Sequence, residues 1–271
     1  MNFDLLIFLF FYISSIISIL GYGLIFQKII NIPKNDFCLG YSGLIGIFFL
    51  TIISYTSNII LPHGLIHNSI IFIIGFFIFI YFFFKNYILK KDIKVFALIF
   101  LFLFLSFLVF KAHDDFPYYH FPYTYYLTEN SSYLGIGNFN HGFRTPSSLF
   151  YLNSVFYLPK INYFSFHYGA FIIMFFSNII LVLNIIKISK NNFIKFLSLF
   201  FFIFINIVFY RFAEHGTDRS GQIIVLLLTI YSLKIINEKK LNNFDLSFIL
   251  LLLAIIFTLK TYFLIYIIIL I

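Results

Sequence analysis

The sequence predicts an all-α protein, a polytopic bundle of about eight transmembrane helices with a juxtamembrane helix in one long outer loop. Three observations predict it. Hydrophobic residues make up 62% of the chain and charged residues 10%, against roughly 25% charged in a soluble domain. The apolar residues fall into runs near the length of about 20 that a bilayer crossing needs. The connections between those runs alternate between Lys-rich turns and segments of varied chemistry.

The runs lie near 4–26, 37–56, 66–84, 95–110, 163–186, 196–212, 221–236 and 246–260. The N-terminus lacks the basic stretch and cleavage signature of a signal peptide, so the first run reads as a retained span. Loops 27–36, 85–94, 187–195 and 234–245 hold twelve of the 18 basic residues. Positive charge marks the cytoplasmic side, which places the N-terminus outside. A second sorting agrees. All seven His, all three Arg and six of the ten acids fall on the predicted outer side. Function is expected to face outward, in a bacterial inner membrane.

Three regions follow: N-terminal transmembrane helices over 1–110, an extracytoplasmic loop over 111–162, and C-terminal transmembrane helices over 163–271. After Lys260, eleven mostly apolar residues are too few to span. They read as a re-entrant segment or as the start of further chain beyond residue 271, and the second reading is favoured. The lone Cys38 cannot form an internal disulfide. The net charge of +8 does not indicate nucleic acid, because the lysines sit in short turns and form no basic face.

The long loop is the most informative segment. It opens Lys-Ala-His-Asp-Asp-Phe-Pro-Tyr-Tyr-His-Phe-Pro-Tyr over 111–123. Asp114 and Asp115 stand between His113 and His120 at the membrane edge. An acid there can serve as a general base, since desolvation and a like charge raise its pKa. It can also ligate a divalent metal, and the plain alternative is a solvated turn. The repeated Phe-Pro-Tyr suits ring stacking on sugars, though an aromatic belt at headgroup level is the stronger explanation. The stretch 138–144 presents His141 and Arg144, and Arg suits bidentate phosphate recognition. Thr145-Pro146 reads as an N-cap with Pro at the first helical position, opening a short helix over 147–158 that lies in the interface.

A second outer cluster spans Arg211–Gln222. It carries Glu214, His215, Asp218 and Arg219, with Glu214 and Asp218 on one face if the next helix includes both. Capping by Thr217 or Asp218 is the alternative. Lys260, near the end of the last span, can snorkel to the outer surface or reach a phosphate there.

Together these residues resemble the GT-C superfamily of multi-spanning glycosyltransferases and the bacterial membrane proteins related to it. The resemblance covers about 111–260: the Asp114-Asp115 motif after a span, the loop with His141 and Arg144, the helix led by Pro146, the turn 214–222 and Thr258-Leu-Lys260. It implies an outward-facing enzyme that uses a polyprenyl-phosphate-linked sugar as donor and a glycan or lipid as acceptor. A loop acid would activate the acceptor hydroxyl, and Arg or Lys would hold the lipid phosphate. One departure stands out: the superfamily's acidic motif usually follows the first span, whereas here it follows the run 95–110, which has three other predicted spans before it.

The residues read alone agree. Asp114 or Asp115 is the expected base. Arg144, Arg219 and Lys260 are expected to bind phosphate, with His113, His141, Glu214, His215 and Asp218 completing the substrate site. The residues single out no cofactor, and a divalent metal stays open. A polysaccharide ligase or polymerase is the nearest rival. A transporter is the rival from another class, but it would place ionisable groups in mid-span.

Overall fold

The computed structural model describes residues 2–32, 38–88, 90–107, 113–132, 134–144, 146–187, 192–238 and 243–270. No strand occurs among them. The helices are α1 (Asn2–Ile29), α2 (Leu39–Ile60), α3 (Leu65–Phe84), α4 (Lys90–Phe107), α5 (Phe121–Glu129), α6 (Ser148–Val155), α7 (Tyr168–Lys187), α8 (Asn192–Val208), α9 (Gly216–Glu238) and α10 (Asn243–Leu259).

Each of the eight predicted spans falls on a helix, the end of the run 95–110 lying outside the described residues, yet among the described residues five helices are long and apolar enough to cross a membrane: α1, α2, α3, α7 and α9. The reasons differ for the other three. α8 and α10 are apolar but have 17 residues each, about 26 Å of rise against a hydrocarbon core of about 30 Å. α4 places Lys90, Lys91, Asp92 and Lys94 among its first five residues, where the sequence predicts a loop. The run 221–236 begins earlier, at Gly216, which puts Asp218 and Arg219 inside α9.

α7 is the central helix. Its apolar window is 83% buried, whereas that of α3 is 22% buried, so α3 turns Ile66, Ile70, Phe77 and Phe84 outward. α2, α4, α8 and α9 pack around α7, and α1 ties α2 to α3. Small residues set the α1 crossings. A Cβ on Gly21 would stand 1.9 Å from the Gly75 carbonyl oxygen, and one on Gly23 1.7 Å from that of Ser42. Backbones meet there with no room for a side chain, as at small-residue crossings of membrane helices.

Helix α6 departs from its predicted role. Every residue of Ser148–Val155 is buried, so it is a core element and not an interfacial one. Ser147 is its N-cap, accepting from the Leu149 amide at 3.2 Å. Pro146 precedes the cap, and Thr145 lies outside the described residues. Beyond α10, Lys260 leads into a 3-10 segment, Thr261–Leu270, whose Phe263 is fully buried against Gly221 of α9.

Candidate functional site

Buried amides tie the 113–167 segment to one end of the bundle. Asn58, near the end of α2, donates from Nδ2 to the carbonyls of Leu127 at 3.1 Å and Asn130 at 3.3 Å. Its Oδ1 accepts from Ser132 Oγ at 2.5 Å. Asn68 of α3 donates to the carbonyls of His63, Ser154 and Tyr157 at 2.7, 2.8 and 2.9 Å. His63 places Nδ1 2.6 Å from Ser154 Oγ; burial, with His67 beside it, lowers its pKa to about 3. Polar groups buried this deeply must be paired, and here the pairing fixes the segment's position.

On that base stands a π-helical turn, Phe116–His120, running straight into α5. Its wide spacing closes with the Phe121 amide on the Phe116 carbonyl. In an α register the Tyr118 carbonyl would take the amide of residue 122, but Pro122 has none. That carbonyl accepts instead from Asn140 Nδ2 at 3.2 Å, which docks the 138–144 loop. Gly142 completes the docking: a Cβ there would stand 2.4 Å from the Cβ of Tyr119.

The turn gathers polar side chains. Tyr119 donates its hydroxyl to Asp115 Oδ2 at 3.0 Å. His113 Nδ1 lies 3.6 Å from the same oxygen and accepts from the Asp115 amide at 3.1 Å. The His113 and His120 rings stack at 5.6 Å. Burial and the Asp115 hydrogen bond push the Tyr119 phenol up to about 12, with the Asp115 and Asp218 charges adding to them. Tyr119 therefore stays a donor. Burial and His113 lower His120 to about 4, against the pull of Asp115 and Asp218, so its imidazole is neutral near pH 7. Its Nε2 is buried without a hydrogen-bond partner among the described residues.

The 211–219 turn meets this cluster from the side. His113 donates its amide to the Ala213 carbonyl at 3.3 Å. Gly216, at φ +52°, opens α9 in the left-handed region that favours glycine, and a Cβ there would come within 3.1 Å of His120 Cε1. Within the first turn of α9, Asp218 Oδ1 receives Lys260 Nζ at 2.5 Å. With Gly216 against His120, and His120 stacked on His113, three segments distant in sequence share one locus.

Not every predicted residue joins it. Asp114 is exposed and makes no hydrogen bond among the described residues, so of the acid pair Asp115 faces the cluster. Glu214 does not share a helix face with Asp218; it sits in a 3-10 turn, buried, and holds Arg211 at 3.1 Å and Arg219 at 3.3 Å. Its charge is thereby engaged with cations and not open to an anion. His215 is likewise internal: Nε2 donates to the Phe209 carbonyl at 2.6 Å, and burial lowers its pKa to about 4. Arg219 keeps a guanidinium about one-third exposed beside Glu214. His141 is exposed, and Arg144 borders a separate open hollow with Tyr123, Ser132, Phe143 and Tyr151.

Tyr119 and His120 belong to the cluster, although the sequence alone gives Tyr119 no role and marks His120 only as a neighbour of the acid pair. The proline at 122 is the one local signal for them. Among the described residues no group of three His, Cys, Asp or Glu side chains is arranged to hold a metal ion.

A family model described as a domain of unknown function, DUF8201, matches residues 5–271, and the chain belongs to that family. No curated protein and no solved structure matches it.

Proposed function

We propose that this DUF8201 protein is an integral membrane glycosyltransferase of about eight passes. It transfers a sugar from a polyprenyl-phosphate-linked donor to an acceptor hydroxyl at the extracytoplasmic face of the membrane. One observation carries the reading: Tyr119 and His113 hold Asp115 beside His120, and Gly216 brings the opening turn of α9, with its Asp218–Lys260 pair, against the same imidazole at one end of the bundle. A carboxylate and an ammonium then stand together where an amphiphilic substrate would lie.

In this mechanism Asp115 takes the proton of the acceptor hydroxyl as its oxygen attacks the anomeric carbon. The bond from that carbon to the phosphate oxygen breaks, and polyprenyl phosphate leaves with the bonding pair. Tyr119 donates to Asp115 and keeps one carboxylate oxygen fixed, which leaves the other for the acceptor. Lys260 attracts the departing phosphate, with Asp218 holding the ammonium in place until substrate arrives. Positioned proton transfer of this kind contributes roughly 10²–10⁴-fold in rate. The transporter alternative gains nothing from the ion pairs Lys234–Asp245 and Asp218–Lys260, which lie near helix ends and not in mid-span.

The test is transfer by the purified chain in lipid vesicles, supplied with a panel of polyprenyl-phosphate-linked hexoses and a panel of hydroxyl-bearing glycan and lipid acceptors. Wild type should consume at least one of them, and Asp115→Asn should lose that turnover. Consumption of none, or full turnover by Asp115→Asn, would remove the reading.

A further inference from the structure

The hollow beside Arg144 has a volume of about 490 Å³, inside the range of about 300–1,000 Å³ typical of small-molecule sites. Tyr119, which reaches Asp115, does not line it. Its polar groups are ordered in a way that selects a ligand.

The order begins at Asn58. Its Nδ2 donates to backbone carbonyls, so its Oδ1 must be the atom that accepts from Ser132 Oγ. Ser132 has then spent its proton and can only accept from Tyr151, 3.1 Å away. Tyr151 in turn can only accept from Tyr123, at 3.2 Å. The hydroxyl chain runs Tyr123 to Tyr151 to Ser132 to Asn58, and every proton in it is committed. Each oxygen keeps a lone pair. The hollow's floor is therefore a row of acceptors that asks the ligand for O–H donors.

Arg144 imposes the opposite demand. Its Nε donates to the Gly137 carbonyl at 3.4 Å, and a guanidinium has no acceptor, so its remaining N–H groups ask for an acceptor, best an anion. Phe143, its ring 5.0 Å from that of Tyr123, adds an apolar wall to the same hollow. Hydroxyl donors, an acidic group and an apolar surface together describe one ligand class.

We propose that this hollow binds a sugar that carries an acidic group, a carboxylate or a phosphate. On the glycosyl-transfer reading it is the seat of the acceptor glycan. Its test reads binding alone, so either reading can fail without the other.

The experiment uses the full chain in lipid nanodiscs and saturation-transfer NMR with galacturonate, glucose 1-phosphate, glucose and inorganic phosphate. At least one acid-bearing sugar should bind roughly tenfold more tightly than glucose, the scale of one charge-assisted hydrogen bond. The galacturonate and glucose 1-phosphate arms tell carboxylate from phosphate. Arg144→Ala should abolish the preference and Ser132→Ala should weaken all sugars. Arg144→Lys, which keeps the charge and loses the planar fork, stands in should Arg144→Ala fail to fold. Equal binding of glucose, an undiminished preference in the Arg144 variant, or displacement by inorganic phosphate at equal concentration would each overturn the proposal.

Discussion

Lys260 Nζ lies 2.5 Å from Asp218 Oδ1 across 42 residues of sequence, yet both side chains keep about half of their surface exposed. An ion pair so open contributes at most about 1 kcal/mol to stability. Lys260→Met should therefore leave the melting temperature in detergent almost unchanged. Transfer should fall steeply, through a weakened hold on the donor phosphate. A variant that melts early and retains its activity would assign the lysine to the scaffold.

The two adjacent acids should separate cleanly. Asp115 accepts from Tyr119, and Asp114 points to solvent. Asp115→Asn should cut turnover by about 100-fold or more, and Asp114→Asn should stay near wild type. Parallel initial-rate measurements with one donor decide it.

Acid should destabilise the fold through buried imidazoles. His63, His120, His167 and His215 are held at about 3, 4, 4 and 4, mainly by burial, against about 6.5 in the unfolded chain. A depressed pKa means that the unfolded state binds more protons between the two values. The stability from each neutral ring is present above about pH 6.5 and is lost as pH falls toward 4. Melting temperature should drop across that window, and His215→Gln should make the drop shallower. A flat profile would contradict the burial of these rings.

Topology is checked through the lone thiol. Cys38 is buried and is the chain's one cysteine. In a Cys38→Ser background, His141→Cys should react in intact cells with a membrane-impermeant maleimide. Protection there, with labelling only after permeabilisation, would turn the candidate site to the cytosol.

Gly216→Ala should cost about 1–2 kcal/mol from the positive φ alone, and more from contact with His120. The His120 environment should change with it, which a shifted imidazole resonance would report.

The sequence made the helices legible because apolar runs of 15 residues or more leave few alternatives. It also made the polar end legible, since His, Arg and acids collect there by composition alone. What it hid was orientation. Glu214 reads as a ligand until Arg211 and Arg219 are seen on either side of it. The helix over 148–155 reads as interfacial because Ser147, Tyr151 and Ser154 suggest a wet face, whereas those groups are spent on Leu149, Ser132 and His63. Pairings between segments dozens of residues apart decide both cases, and no local pattern encodes them.

Pro122 gives the molecule a mechanical linkage. By withholding an amide it leaves the Tyr118 carbonyl to Asn140, and so couples the rim of the Arg144 hollow to the turn that carries Asp115. A ligand that pulls on the rim pulls on the carboxylate. Pro122→Ala would restore the absent donor, uncouple the rim, and leave the hollow and the Asp115 turn to answer to their ligands one at a time.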